Sequence, residues 1–319
     1  MWLVTGGAGF IGSHVVRAAL AAGHRVRVLD DLSTGERVRV PAAAELVVGD
    51  VADPTAVRKA ADGVERIVHL AAHRAVPRSV ADPLATDRAN THGTLCILDA
   101  ARDAGVRRVV LASSSSVYGA AAALPTPETA VPRPASPYAV SKLAGEHYAA
   151  VFADLFGLST LSLRFFNVYG PGQSPDGPYA QLVPRTLAAL HAGEQPTVYG
   201  DGTQSRDLVY VDDVARAVLA AVAADTRGVL NIGSGTAVTV LDVVGAAARA
   251  LGSDVEPRFL PARPGDVAHT CADVTRAAQA LGWTATIDLE EGLHRLTLPL
   301  GSGGQIVQHA ARSALQNGR

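Results

Sequence analysis

The chain has 319 residues, of which 48% are hydrophobic and 18% are charged, and its formal net charge is -2. This composition is typical of a globular protein with a large core, and it gives no indication of nucleic-acid or membrane binding. No apolar run is long enough to span a membrane, and the first residues lack a signal-peptide pattern.

The cysteines and histidines indicate a compartment and exclude one class of site. Cys96 and Cys271 lie in apolar or helical segments, which is typical of core residues in a reducing cytoplasm. The ten histidines are scattered along the chain and the cysteines form no CxxC motif, so we expect a cytoplasmic protein without a metal site.

Short apolar segments alternate with amphipathic segments through the first half of the chain. The predicted strands are residues 2–5, 25–29, 45–48, 66–70 and 108–112, and the predicted helices between them are residues 10–22, 55–61 and 82–104. Repeated strand–helix units predict an α/β fold built on a doubly wound parallel sheet.

The segment VTGGAGFIGSH comes after the first predicted strand, and its Gly6, Gly9 and Gly12 give a GxxGxxG spacing. Glycines there let the chain turn tightly and bring backbone N–H groups close to a pyrophosphate at the N-terminus of the next helix. A plain glycine-rich turn is the alternative, but the position between a strand and a helix favours dinucleotide binding in a Rossmann sheet.

Carboxylates end the next two strands. Asp30 lies about twenty residues beyond the glycine turn, where a carboxylate accepts hydrogen bonds from the adenosine ribose. Its charge would repel a 2′-phosphate and no arginine comes directly after it, so NAD is favoured over NADP. Asp50 is placed to reach the adenine amino group, whereas Asp31 is better explained as a solvated strand end.

The segment SPYAVSK places Tyr138 and Lys142 four residues apart on one face of a helix, with Ser136 as the N-cap and Pro137 first. A lysine ammonium close to a tyrosine hydroxyl favours the phenolate and lowers the tyrosine pKa, giving a general base. A YxxxK pair also occurs by chance on surface helices, so this motif alone decides nothing.

Helices dominate the second half of the chain. The amphipathic segments are residues 179–192, 212–223, 240–251 and 274–281, and strand-like segments are residues 159–165, 197–199, 207–210 and 228–232. We expect a smaller, mostly helical C-terminal substrate-binding domain and a flexible tail over residues 301–319.

Ten motifs occur in an order that resembles the extended short-chain dehydrogenase/reductase superfamily, in its nucleotide-sugar epimerase/dehydratase branch. They are TGGAGFIGSH, LDDLSTG, GDV, HLAAHRAVPRSVADP, NTHGTL, SSSSVYG, YAVSK, RFFNVYGPG, GDGTQSRDLVYVDDV and RPGDVAHTCAD, and the similarity reaches to about Leu298. The resemblance implies a fold with an NAD-binding domain (residues 1–170 plus about 197–232) and a nucleotide-sugar-binding domain (about 171–196 and 233–300).

The resemblance implies a role for each motif residue at the cofactor. Tyr138 would be the base, Lys142 its partner, and Ser114 the group that hydrogen-bonds the reacting hydroxyl. Arg74 stands where a lysine is common. The implied cofactor-binding positions are Gly6, Gly9, Phe10, Ile11, Gly12, Asp30, Asp31, Ser33, Thr34, Gly35, Asp50, Val51, Leu70, Ala71, Ala72, Arg74, Asn90, Tyr138, Lys142 and Phe166.

The resemblance also implies a UDP-sugar site formed by Ser114, Ser115, Ser116, Tyr138, Asn167, Gln181, Leu182, Thr197, Tyr199, Arg206, Arg263, Asp266 and Thr270. The guanidinium group of arginine can hydrogen-bond a pyrophosphate through two N–H groups at once, although surface salt bridges would equally explain Arg206 and Arg263. Tyr199 is as readily an ordinary packed aromatic.

The serine run indicates the reaction. In this branch the common first step oxidises sugar C4, and dehydratases and decarboxylases then use a carboxylate beside the catalytic Ser/Thr. Ser115 and Ser116 occupy those places here, and serine at its ordinary pKa is a poor proton carrier. We therefore expect 4-epimerisation, rather than dehydration, decarboxylation or NAD binding without catalysis.

The sugar is less defined by the sequence. Thr270 falls where some 4-epimerases have a tyrosine beside the C2 group, which favours both UDP-Glc/UDP-Gal and UDP-GlcNAc/UDP-GalNAc as substrates. A UDP-uronate is the alternative, its carboxylate being met by the serine cluster. The resemblance also implies a homodimer built by two helices per subunit, one of them carrying Tyr138 and Lys142.

Overall fold

The structure is a computed structural model that describes residues 1–120, 123–175, 181–262 and 267–298. The strands in these ranges are β1 (Trp2–Thr5), β2 (Val26–Asp30), β3 (Glu45–Val48), β4 (Arg66–His69), β5 (Arg108–Ser114), β6 (Thr160–Phe165), β7 (Asn167–Tyr169), β8 (Thr197–Tyr199), β9 (Ser205–Tyr210), β10 (Gly228–Ile232), β11 (Ala237–Thr239) and β12 (Arg258–Leu260). The helices are α1 (Phe10–Ala21), α2 (Pro54–Ala61), α3 (Val76–Ala81), α4 (Pro83–Asp87), α5 (Gly93–Asp103), α6 (Pro137–Phe156), α7 (Leu182–His191), α8 (Val211–Ala223), α9 (Val240–Leu251), α10 (Thr275–Leu281) and α11 (Leu289–Thr297). None of these helices is both long and apolar enough to cross a bilayer.

Seven parallel strands form the central sheet in the order β10-β6-β5-β4-β1-β2-β3. The order reverses beside β1, because β2 pairs on one side of it and β4 on the other. Loops from the carboxyl ends of β1 and β4 separate there and leave a crevice for a ligand. The predicted doubly wound Rossmann sheet is confirmed.

Both faces of the sheet are buried, as expected for parallel strands joined by helices. Successive residues of β1 alternate between the two cores: Val4 belongs to the core shared with α1 and α8, and Leu3 to the core shared with α2 and α5. The sheet is therefore held rigidly between two helical layers, and its carboxyl edge is a fixed platform.

Two smaller sheets lie in the second half of the chain. One has the order β11-β9-β7, and the other pairs β8 with β12. β10 extends the central sheet, whereas β8 pairs with a strand that the predicted division assigns to the substrate domain. The division into two domains stays a prediction.

The observed elements differ from the predicted ones where tertiary contacts decide. β5 continues two residues beyond the predicted end, because Ser113 and Ser114 pair with Arg164 and Phe165 of β6. The predicted helix over residues 82–104 is α4 and α5 joined by a π-helical turn at Arg88–His92. Helices α3 and α11 and strands β7, β11 and β12 were not predicted, and residues 301–319 lie outside the described residues.

Candidate active site

A cavity of about 740 Å³ opens at the carboxyl edge of the central sheet. It brings together most of the residues predicted for the cofactor, the reaction and part of the sugar. Those lining it are Gly6, Gly9, Phe10, Ile11, Gly12, Asp30, Asp31, Ser33, Thr34, Gly35, Asp50, Val51, Leu70, Ala71, Ala72, Arg74, Ser114, Ser115, Ser116, Tyr138, Lys142, Phe166, Asn167 and Gln181.

The glycine turn forms one wall of the cavity and packs too closely for side chains. Gly6 has a φ of 71°, and a Cβ there would lie 2.7 Å from the backbone nitrogen of Ala71. A Cβ at Gly12 would overlap the carbonyl oxygen of Gly6. The first turn of α1 therefore presents its free N–H groups directly to the cavity, where the positive end of the helix favours a phosphate.

Asp30, at the end of β2, holds the glycine turn and faces the same cavity. One carboxylate oxygen accepts from Ala8 N and the other from Leu32 N, both at 2.9 Å. A carboxylate has lone pairs left after two such bonds, so ribose hydroxyls can still be accepted. The cradle of glycines, the helix N-terminus and this carboxylate together fit a dinucleotide with a free 2′-hydroxyl.

Asp50, at the far end of the cavity, is fixed by two groups. Its carboxylate accepts from Ala52 N at 2.8 Å and from Arg88 Nη2 at 2.6 Å. Arg88 also lines the cavity, although no motif in the sequence predicts it there. The carboxylate is thus held in place at the position predicted for the adenine.

The loop after β4 forms the wall opposite the glycine turn. Asn90 does not line the cavity; its buried amide donates to His73 O at 3.1 Å and accepts from His73 N at 2.7 Å. This pair of bonds fixes the loop, in which Ala75 has a φ of 88°. Asn90 therefore lies behind the wall and holds the loop in place, and its predicted contact with the cofactor stays a prediction.

Ser114, Tyr138 and Lys142 meet where β5 ends and α6 begins. Ser136 caps α6 by accepting from Ala139 N at 3.2 Å, and Pro137 occupies the first turn, as predicted. The Lys142 ammonium donates to Ala112 O at 2.8 Å, with Nζ 6.0 Å from the centre of the Tyr138 ring. The two α6 side chains share one helix face and one end of the cavity.

The pKa of Tyr138 differs from the prediction. Burial raises it above the ordinary tyrosine value, although the hydrogen bond with Ser114 and the charge of Arg74 act to lower it. Lys142 is turned towards Ala112 O and its own pKa is lowered by burial to about 8. The expected lowering of the tyrosine pKa by Lys142 is therefore not observed in this conformation, since desolvation outweighs the nearby charges.

The four serines of SSSSVYG have different environments. Ser113 donates to the buried carboxylate of Glu146, and Ser114 accepts from Ser116 N at 3.1 Å at the start of a 3₁₀ turn (Ser115–Tyr118). Ser114, Ser115 and Ser116 each line the cavity beside Tyr138. Among the described residues lining the cavity, the carboxylates are Asp30, Asp31, Glu36 and Asp50, all between β2 and α2 and therefore at the cofactor end.

Several residues predicted for the nucleotide sugar are not brought into the described cavity. Arg206 donates to Ser205 O at 2.8 Å, and the Thr270 hydroxyl accepts from Asp207 N at 3.3 Å, so the Thr270 hydroxyl bonds backbone rather than facing the cavity. Leu182, Thr197 and Tyr199 also lie outside its lining. Arg263 and Asp266 lie outside the described residues.

Two side chains to which the sequence assigns no role tie the loop after β7 to the cofactor half. His14 of α1 contacts Asp212 Oδ1 at 2.7 Å and Pro171 O at 3.0 Å. Arg39 lines the cavity and donates to Gly172 O at 2.7 Å. Both contacts join residues more than a hundred positions apart, and no local pattern signals them.

Comparison with known proteins gives consistent results. Residues 2–233 match the NAD dependent epimerase/dehydratase family. A UDP-glucose 4-epimerase of Mycolicibacterium smegmatis is 42% identical over 299 residues, covering 91% of this chain and 95% of the relative. The UDP-glucose 4-epimerase of Thermotoga maritima, solved with UDP-glucose, has a TM-score of 0.90 at 38% identity, covering 92% of this chain and 96% of that one. MoeE5, solved with UDP-glucuronic acid and NAD, has a TM-score of 0.83 at 41% identity, covering 92% and 96%.

Proposed function

The chain belongs to the NAD-dependent epimerase/dehydratase family, and we propose that it is an isomerase that inverts C4 of a UDP-sugar through a transient 4-keto sugar. The observation that carries this proposal is the composition of the cavity. Ser114, Tyr138 and Lys142 stand together at one end, and the cavity's described carboxylates all lie at the other. The groups for removing and returning the O4 proton are present, and among the described residues this end of the cavity has no carboxylate for a further step.

The glycine turn, the N-terminus of α1 and Asp30 would hold the cofactor, with Asp50 at the adenine end. Bound NAD supplies reversible hydride exchange with sugar C4. Tyr138 takes the proton from O4 and returns it, while Ser114 hydrogen-bonds that oxygen and fixes its position. Lys142 contributes a positive charge 6.0 Å from the centre of the Tyr138 ring, and a positive charge on this side favours the phenolate.

The serines beside Ser114 limit the chemistry that is open to the oxidised sugar. A dehydratase or decarboxylase needs a proton carrier close to C5 or C6, and the hydroxyls of Ser115 and Ser116 do not ionise near neutral pH. Among the described residues on this side of the cavity, the 4-keto sugar therefore meets no carboxylate that could carry a proton for elimination. If the 4-keto sugar turns over in the cavity and takes the hydride back on its other face, the product is a C4 epimer of unchanged mass.

UDP-Glc/UDP-Gal and UDP-GlcNAc/UDP-GalNAc are the first candidate substrates. The relative from M. smegmatis and the T. maritima structure support the hexose pair. A UDP-uronate is a second candidate, because the sugar end presents the hydroxyls of Ser114 to Ser116 and the Arg74 cation. Neutral donors and a cation suit a carboxylate, and MoeE5 was solved with UDP-glucuronic acid.

The test is incubation of the purified protein with separate UDP-sugars, including UDP-glucuronate, with no NAD added. Products are read by NMR and mass spectrometry. We expect a C4 epimer of unchanged mass from at least one sugar. Loss of water or of carbon dioxide would contradict 4-epimerisation, and recovery of every sugar unchanged with NAD bound would favour a non-catalytic protein.

We further propose a homodimer formed through α6, a cytoplasmic location, and a division into an NAD-binding and a nucleotide-sugar-binding domain. Support for the dimer comes from exposed apolar residues along α6, and support for the location from the unpaired, buried Cys96 and Cys271. The division into two domains is supported by β10. This strand comes after residues 171–196, which are assigned to the nucleotide-sugar-binding domain, yet it extends the central sheet of the NAD-binding domain.

A further inference from the structure

Three side chains of α6 contact three consecutive residues at the end of β5. Tyr138 lines the cavity with Ser114, Lys142 donates to Ala112 O, and Glu146 accepts from Ser113 Oγ. The spacing of four places all three on one helix face. Glu146 is thus the third member of a row of which the first two members face the cavity.

Glu146 is buried and firmly held. Its Oε2 accepts from Arg164 Nη2 at 2.6 Å, and its Oε1 accepts from Arg164 Nε at 2.9 Å and from Ser113. Arg164, on β6, is also buried and lies over the Tyr118 ring at 4.7 Å. A buried ion pair loses the hydration of both charges, so its presence directly behind the reactive groups is poorly explained by stability alone.

We propose that Glu146 is a positioning residue whose fixed negative charge keeps Lys142 protonated beside Tyr138, with Arg164 and Ser113 setting how much of that charge reaches the ammonium. The inference rests on the proposed function only for its consequence in turnover. The electrostatic relation between Glu146, Arg164 and Lys142 concerns this chain's own groups and is measured without substrate.

The charges around Lys142 favour this role. On α6 the ionisable neighbours are Tyr138 and Glu146, and from β4 there is His69. Arg74, in the loop after β4, acts on Tyr138, and Arg164, on β6, is paired with Glu146. His69 is neutral, because burial and the Lys142 charge lower its pKa to about 3. Burial lowers the pKa of Lys142 to about 8, and Glu146 acts in the opposite direction. Among these described neighbours, Glu146 is the carboxylate, so it is the group that can stabilise the charged form of Lys142.

The chain allows a direct measurement, because its full sequence contains only two lysines, Lys59 and Lys142. Protein labelled with ¹³C and ¹⁵N in lysine gives two side-chain signals, and Lys59→Arg assigns them. Lys59 is exposed on α2 and serves as an internal reference. We expect the Lys142 ammonium of the unsubstituted protein to titrate well below an ordinary lysine and to be protonated at pH 7; a neutral Lys142 at pH 7 would overturn the proposal.

Two substitutions have opposite expected signs. Glu146→Gln removes the anion and leaves the Arg164 cation, so the Lys142 pKa should fall by about one pH unit. Arg164→Gln leaves the anion unpaired, so the Lys142 pKa should rise, by less than it falls in Glu146→Gln. In Glu146→Gln/Arg164→Gln both charges are gone, and the pKa should lie between those of the two single variants and below that of the unsubstituted protein. Shifts in the same direction, or no shift in either single variant, would overturn the proposal.

A purely structural role would give a different pattern. Both single variants would then lose stability and activity together. Arg164→Lys keeps the positive charge but loses the two parallel N–H donors of the guanidinium. Under the proposal this variant should retain the Lys142 pKa, whereas under a structural role it should not. If one single variant does not fold, the sign of the other and the wild-type titration still decide between the two outcomes.

Turnover provides the second readout. The alkaline limb of the kcat profile should track Lys142, falling as pH rises through about 8 in the unsubstituted protein, at lower pH in Glu146→Gln and at higher pH in Arg164→Gln. Absence of epimerase activity in the unsubstituted protein would refute the proposed function and leave the NMR result standing. Activity with an unmoved NMR titration would refute this inference alone.

Discussion

Tyr138 is the residue whose environment departs most from what its motif predicts. Spacing alone identifies the Tyr138–Lys142 pair, but the spacing cannot show that the tyrosine is buried or that the lysine turns to Ala112 O. Burial is a property of the surrounding elements, so a seven-residue motif cannot predict the direction of the pKa shift. Tyr138 needs a positive charge nearby to favour its phenolate, so Lys142 must stay protonated. Burial opposes this as well, because it lowers the pKa of Lys142.

Replacing Tyr138 by phenylalanine removes the proposed base and little else. We expect turnover to fall by at least about 10³-fold, since general-base catalysis contributes on this order, while the content of bound NAD stays unchanged. The measurement is turnover by NMR together with NAD released on denaturation. Tyr148→Phe is the matched control, because it removes a half-exposed hydroxyl from the same helix. Persistent turnover in Tyr138→Phe would assign the base elsewhere.

At the scale of elements, the glycine turn was predicted well because its physical cause is local. Strand, tight turn and helix succeed one another in ten residues, and the close approach of Gly12 to the Gly6 carbonyl is decided within that segment. Arg39 and His14 act on carbonyls more than a hundred residues away, and no periodicity predicts such contacts. Local turns can thus be predicted from the sequence, whereas the contacts that close the cavity cannot.

Gly12→Ala tests the glycine turn as a phosphate cradle. The added Cβ would overlap the Gly6 carbonyl, so the turn must open and the first N–H groups of α1 must move. We expect NAD content to fall at least about tenfold, which corresponds to about 1.4 kcal/mol of binding free energy. Gly245→Ala, inside α9, is the control, where the nearest atom to a new Cβ is the end of the flexible Arg249 side chain. Equal NAD content in both variants would contradict the role.

Asp207 joins elements that are distant in the chain. Its buried carboxylate accepts from Ser234 N, Gly235 N and Ala272 N, so it links β9 to the segments after β10 and before α10. Asp207→Ala should lower the free energy of unfolding by about 3 kcal/mol, because these buried donors lose a charged acceptor. Urea unfolding monitored by circular dichroism measures this. Asp254→Ala, at an exposed site, should change stability little; equal losses would contradict the role of Asp207.

At the scale of the whole molecule, two helical layers fix a sheet whose carboxyl edge carries the cavity, while one outer face stays apolar. The exposed face of α6 consists of Val140, Tyr148, Val151 and Leu155, which recur at helical intervals. Helices α3 and α4 pack beside α6, and Val80 (65% exposed) and Leu84 (82%) extend the same face. A contiguous apolar face of this kind is typical of an interface.

The dimer is tested at Leu155, at the C-terminal end of that face. Leu155 is 71% exposed, and a second copy related by a two-fold axis would pack α6 against α6 and bury it twice. Leu155→Glu places two like charges in the interface, so we expect dissociation to a monomer with its fold retained. Light scattering after size exclusion and circular dichroism measure mass and fold. Val131→Glu makes the same kind of change at a loop residue that is 74% exposed and precedes α6, and it should leave the mass unchanged. A monomeric unsubstituted protein would refute the dimer, and a dimeric Leu155→Glu would move the interface to another face.

Because α6 also carries Tyr138, Lys142 and Glu146, a monomer that keeps its bound NAD but loses turnover would indicate that dimerisation holds these side chains in register.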